Sequence, residues 1–187
     1  MSNNSSNNKT LFVNFFGGPG IGKSRNTARL FSEIKDLGIN AETISEFAKH
    51  LTWKGDKFTL GCQPYVTGKQ LFKQYILMDK VEVAITDSPI LLGIVYQGFG
   101  CSPAWEQSIF EQFHLFNNLN ILLKRNSEAH PYNPKGRSQE EHEAKEIDNR
   151  VHELLLKNNI DFTEVEVQKD NSHINIVLDM IHVKLNK

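Results

Sequence analysis

Apolar residues fall into short dense runs, separated by longer stretches where they recur every three to four positions. That alternation of strand-like and helix-like periods predicts an α/β domain built on a parallel sheet. Leu11–Phe16 is apolar apart from Asn14 and suits a central strand covered on both faces. Leu30, Ile34 and Leu37 follow at i, i+4 and i+7 on a helix that stops at Gly38. Ala41–Ser45 and Val81–Thr86 read as the second and third strands, with a helix over Gln70–Asp79 between them. Ser102 followed by Pro103 starts a helix that should run through Ile109, Phe113 and Phe116. Asn120–Lys124 supplies a fourth strand and Phe162–Val167 a fifth. Between them, Ser138 and Glu141 have capping-box spacing ahead of a helix that buries Ile147, Val151, Leu154 and Leu155. Ile174, Val177, Leu178 and Ile181 face inward from a last helix.

A chain of 187 residues with no internal repeat or linker reads as a single domain over residues 10–187. Residues 1–9 are a Ser/Asn string with nothing to bury, expected to be a disordered tail rather than a signal peptide. The net charge of -1 supplies no general field for nucleic acid, although the 21 Lys and Arg can still cluster locally. No apolar run approaches a membrane span. Cys62 and Cys101 match no metal or disulfide spacing, which points to reduced thiols in a cytoplasmic protein.

The strongest chemical signal is Gly17-Gly18-Pro19-Gly20-Ile21-Gly22-Lys23-Ser24, which fits G-x-x-x-x-G-K-[ST] between an apolar strand and an amphipathic helix. Glycines allow successive backbone N–H groups to turn toward phosphate oxygens, and the helix start adds its positive dipole end. The residues expected to contact ATP or GTP are Gly18, Pro19, Gly20, Ile21, Gly22, Lys23, Ser24 and Arg25. Lys23 would reach the β- and γ-phosphates, and the Ser24 hydroxyl would ligate Mg²⁺.

Ligands of open parallel sheets sit beyond the carboxyl ends of the strands, where Glu46 and Asp87 fall. Asp87 can hold Mg²⁺ or cap the turn at Ser88-Pro89, and the two roles are compatible. Glu46 is either the general base for an acceptor hydroxyl or a surface carboxylate that opens a helix. Lys49 would lie on the same helical face and attract an anionic acceptor, or remain solvated. Arg125, Lys135 and Arg137 flank or occupy a proline-punctuated loop, 125–137, past the fourth strand. Arg137, freed by Gly136, is the first choice to meet the transferring phosphate; Arg125 is second. Gln63, Tyr65, Lys69 and Gln70 adjoin the expected acceptor side, and Trp53 or Tyr65 can stack on a base or serve the core.

Gly17–Ser24, Ser45-Glu46-Phe47-Ala48-Lys49, Thr86-Asp87-Ser88-Pro89 and Pro131-Tyr132-Asn133-Pro134-Lys135-Gly136-Arg137 together resemble a family of bacteriophage P-loop kinase-like proteins. These are described as AAA-type ATPases or nucleotide kinases and are similar to the ribosylnicotinamide-kinase domain of the bacterial NAD-biosynthesis regulator. The resemblance runs from about Leu11 to Asp148. It implies a three-layer P-loop NTPase fold, strand order 2-3-1-4-5, and a lid over roughly residues 125–148. It also implies Glu46 at the general-base position, Asp87 near Mg²⁺ and Arg137 in the lid. Arg25 departs from the usual threonine, and Asp87-Ser88 departs from the Asp-Arg or Glu-Arg-Ser of many nucleoside kinases.

The expected activity is transfer of the γ-phosphate of ATP (or GTP) to a hydroxyl of a nucleoside, nucleotide or modified nucleobase. The resemblance also makes DNA a possible acceptor, through hydroxymethyl-pyrimidine bases. A reading from another class is a nucleotide-dependent switch with no acceptor. No membrane partner is expected, and the location would be the cytoplasm, that of the host if the chain is phage-encoded.

Overall fold

The computed structural model describes residues 9–128, 131 and 140–186. Its elements, in chain order, are β1 (Leu11–Phe16), α1 (Lys23–Asp36), β2 (Ala41–Ile44), α2 (Phe47–Lys54), α3 (Lys57–Gly61), α4 (Gln63–Leu77) and β3 (Val83–Thr86). There follow α5 (Leu92–Tyr96), α6 (Pro103–Phe113), β4 (Asn117–Lys124), α7 (Glu141–Lys157), β5 (Thr163–Glu166) and α8 (His173–Leu185). The five strands form one sheet in the order β2-β3-β1-β4-β5. Every pairing is parallel. This is the three-layer P-loop fold and the strand order that the sequence resemblance implied.

Strand periodicity separates the two faces of β1. Leu11, Val13 and Phe15 enter a core shared with Leu30 and Ile34 of α1 and with Ile174, Val177 and Ile181 of α8. Phe12 and Phe16 point the other way, Phe12 toward Phe116 and Phe16 toward Ile109, Phe113 and Val151. Asn14 lies on that second face; its Nδ2 donates to Asn118 Oδ1 at 2.8 Å and Asn120 Oδ1 at 2.9 Å. The one polar residue of the central strand thus ties β1 to β4.

Several boundaries differ from expectation, each for a local reason. Helix α4 starts at Gln63, seven residues before the expected Gln70, with Pro64 in its first turn. Its early part packs so closely on α5 that a Cβ on Gly93 would lie 2.1 Å from Thr67 Oγ1. Helix α6 ends at Phe113; Phe116 is buried, but beyond a turn, and β4 begins at Asn117 rather than Asn120. Leu37 is the C-cap of α1 and 53% exposed, not core. The capping box of α7 is formed by Glu140 and Glu143, not by Ser138 and Glu141. Ser138, with residues 132–137 and Arg137 among them, lies outside the described residues.

Candidate functional site

The loop from β1 to α1 takes its shape from three glycines with positive φ, Gly17 at 137°, Gly20 at 75° and Gly22 at 102°. Only glycine adopts such angles without cost, so the main chain can curl over the start of α1. Gly18 is glycine for a different reason. A Cβ there would lie 2.6 Å from both Ala144 O and Asp148 Oδ1, because α7 presses on the loop.

Lys23 opens α1, and its Nζ donates to Gly17 O at 2.7 Å and Gly18 O at 2.8 Å. An ammonium has three donors, so one remains for an anion. Burial pushes the Lys23 pKa below the usual lysine range, opposed by the carboxylates of Glu46, Asp87 and Asp148; the Arg125 charge pushes in the same direction as burial. Three acids, just past β2, just past β3 and on α7, thus act on a single loop lysine. Arg25 donates from Nη2 to Asn171 Oδ1 at 3.0 Å.

Asp87, just past β3, is 7% exposed, and its Oδ1 is buried with no hydrogen-bond partner among the described residues. The adjacent turn is closed instead by Thr86, whose Oγ1 accepts from Ser88 N–H at 3.0 Å. Glu46 occupies the N-cap of α2 in an extended conformation and makes no side-chain cap bond there. Its place is set from behind: Gln70 Oε1 accepts from Phe47 N–H at 3.2 Å, and Lys73 Nζ donates to Ser45 O at 2.7 Å. Gln70 is therefore spent on the scaffold.

A cavity of about 600 Å³ is lined by both Lys23 and Glu46. Pro19, Gly20, Gly22, Lys23, Ser24 and Arg25 of the loop and the start of α1 line it, together with Glu46, Lys49, Trp53, Gln63 and Gln97. Gln63 is buried, with Nε2 donating to Leu60 O at 3.2 Å. Tyr65, Ile21, Asp87 and Arg125 do not line it. Tyr65 packs edge-on against Phe47 at 5.8 Å under Lys69 Nζ.

Two site residues went unread in the sequence. Tyr96 of α5 lines the cavity, and burial, then the Glu46 and Asp148 charges, push its phenol above the ordinary tyrosine value. Nothing in its surroundings along the chain marks it. Asp148 accepts from Gly18 N–H at 2.6 Å and from Arg125 Nε at 2.8 Å. It had a signal, being a carboxylate on the α7 face that also carries Ala144, Ile147 and Val151.

The model of the AAA domain family matches residues 12–171. The chain belongs to that family. Comparison with curated proteins finds no match. Among solved structures, this AAA-domain protein shares its fold with thymidylate kinase from Ehrlichia chaffeensis: TM-score 0.55 at 16% identity, covering 93% of this chain and 98% of that one. Deoxyadenosine kinase from M. mycoides, solved with dCMP and dCDP, gives a TM-score of 0.54 at 16% identity, over 92% of this chain and 99% of that one. No described helix is long and apolar enough to cross a membrane.

Proposed function

We propose that the protein transfers the γ-phosphate of ATP, or GTP, to a hydroxyl of a nucleoside, nucleotide or modified nucleobase. One observation carries the reading: the phosphate loop and Glu46 line one and the same cavity, together with Lys49, Trp53, Gln63 and Gln97. A nucleotide switch needs only the phosphate loop, whereas a transferase needs a base and acceptor room beside it. The fold shared with thymidylate and deoxyadenosine kinases supports an acceptor of this class.

Ser24 and Asp87 would hold Mg²⁺, and the unpartnered buried Asp87 Oδ1 suits a hard cation that takes oxygen ligands. When bound, that ion neutralises charge on the phosphate oxygens. Lys23 would do the same from the loop, Glu46 would take the acceptor proton, and Lys49 would draw in an anionic acceptor. Arg137 keeps its proposed place at the transferring phosphate, with Arg125 behind the loop.

The test is γ-labelled ATP against nucleosides, nucleotides, ribosylnicotinamide and hydroxymethyl-pyrimidine DNA. Label on an acceptor supports the reading; release of free phosphate alone, with every acceptor unlabelled, overturns it in favour of the switch. Glu46→Gln should lower transfer by about 10²–10⁴-fold while leaving ATP affinity within about twofold. Transfer at the wild-type rate would move the base role to Asp87.

A nucleic-acid acceptor gains support from the segment α2–α4, of which Lys49, Trp53 and Lys57 line the cavity. Residues 47–77 carry Lys49, Lys54, Lys57 and Lys69, besides the Lys73 already bonded to Ser45, against Asp56 alone. Trp53 and Phe58 are 70% and 80% exposed among them. Interleaved lysines and open aromatic rings suit single strands, through phosphate pairing and base stacking. Anisotropy of a labelled oligonucleotide should then show binding at 50 mM salt that weakens steeply by 200 mM; no binding at low salt removes DNA as acceptor.

A further inference from the structure

We infer that Asp148 is a positioning residue, fastening the phosphate loop and Arg125 into one nucleotide-gripping unit. The inference rests on the nucleotide half of the proposed function and is independent of the acceptor.

Both oxygens of the Asp148 carboxylate are engaged. Oδ1 accepts from Gly18 N–H at 2.6 Å and Oδ2 from Arg125 Nε at 2.8 Å. Arg125 returns to the loop one residue later, Nη2 donating to Pro19 O at 2.9 Å. A closed ring results, running from the Gly18 amide through Asp148 and Arg125 to the Pro19 carbonyl. The pair is shielded, with side-chain exposures of 10% for Arg125 and 21% for Asp148. Shielded charge-assisted bonds hold geometry better than exposed ones.

The ring uses Nε and Nη2 and leaves the third guanidinium nitrogen over. Arg125 Nη1 is buried and has no hydrogen-bond partner among the described residues. A bridge that only stapled α7 to the loop would not need a guanidinium with a spare buried N–H. The spare donor belongs to a cation close enough to Lys23 to act on its charge. Arg125 does not line the cavity, so it acts from behind the loop, where its positive charge and that of Lys23 together favour an oxyanion on the loop. Without Asp148, the guanidinium would lose its fixed plane and Gly18 N–H its acceptor.

Calorimetric titration of the full chain with Mg·ATP, with no acceptor present, tests this. Asp148→Asn keeps one acceptor oxygen but turns an NH₂ toward one of two donors, so affinity should fall about tenfold or more. Arg125→Gln should fall similarly, and the double variant should bind within about threefold of the weaker single one, because the residues act as a unit. Wild-type affinity in Asp148→Asn, or losses that multiply in the double variant, would overturn the proposal. A lower melting temperature with unchanged ATP affinity would do the same, since that is the mark of a staple.

If the variants do not fold, hydrogen exchange on the wild-type protein decides. Mg·ATP should slow exchange in the segment 144–151 together with 17–24; protection of the loop alone would overturn the coupling. A protein that binds ATP in this way but labels no acceptor would sink the transferase reading and leave this one standing.

Discussion

Adjacent glycines of the phosphate loop answer to different constraints, and substitution should separate them. Gly17 sits at a φ of 137°, so a side chain there is strained whatever the space around it. Gly18 carries no such torsion, yet a Cβ would meet the backbone of α7 at Ala144 O, 2.6 Å away, as well as Asp148 Oδ1. A carbonyl fixed within a helix cannot swing aside as a lysine tip can. Gly18→Ala should therefore push the loop away from α7, costing about 1–3 kcal/mol of stability, the usual scale of overpacking. It should weaken ATP binding as well, because the displaced segment carries the Asp148 contact. Denaturant melts and an ATP titration on the same preparation check both. An unchanged ATP affinity would mean that loop and helix are not held together during binding. Lys23→Ala is the reference, since loss of the loop's own ammonium should abolish turnover.

At the scale of elements, most of the sheet was legible because buried parallel strands are written as dense apolar runs. All five expected strands occur, with ends shifted by up to three residues. What stayed hidden was short or amphipathically weak: α3 and α5 have five residues each, too few for a helical period to declare itself. The early start of α4 was obscured by Val66, Thr67 and Gly68, poor helix formers made helical by packing against α5. The site divides in the same way. Local contiguity exposed Gly17–Ser24, and strand ends exposed Glu46 and Asp87. Asp148 and Tyr96 reach the site from far along the chain, and contacts at that separation leave little trace in local pattern. Asn14 shows the opposite case, a polar residue inside an apolar strand whose reason appears only in the pairing of β1 with β4. Its Nδ2 serves Asn118 and Asn120 at once. Asn14→Leu would leave both acceptors short of a donor in a buried layer, at an expected cost of about 2–4 kcal/mol. Chemical denaturation measures it, and a cost under about 0.5 kcal/mol would show that the asparagine ladder does not pin the two strands.

The whole molecule is tied together where its last helix meets its first loop. Gln168 N–H donates to His173 Nδ1 at 3.1 Å, which fixes the proton on Nε2 and makes that nitrogen the donor to Asn26 Oδ1 at 2.6 Å. Asn26 Nδ2 then donates to Gly22 O at 3.1 Å, so a chain of hydrogen bonds runs from α8 to the phosphate loop. His173 is buried, and burial, with the charges of Arg25 and Arg29, holds its pKa below the usual histidine value against the pull of Asp170. The unfolded chain takes up this proton as pH falls through about 6.5, while the folded chain resists until lower pH. Stability from this group is therefore complete above that pH and drains away below it. Each kcal/mol lost should lower the melting temperature by about 2–4 °C for a chain of this size. The comparison is with His173→Gln, which cannot take the proton. That variant should melt lower than wild type at pH 7.5, and the gap should narrow as pH is brought to 5.5. A gap that stays constant or widens on acidification would mean that the fold does not hold the His173 pKa below its unfolded value, and that the link from α8 to the loop does not depend on the neutral form.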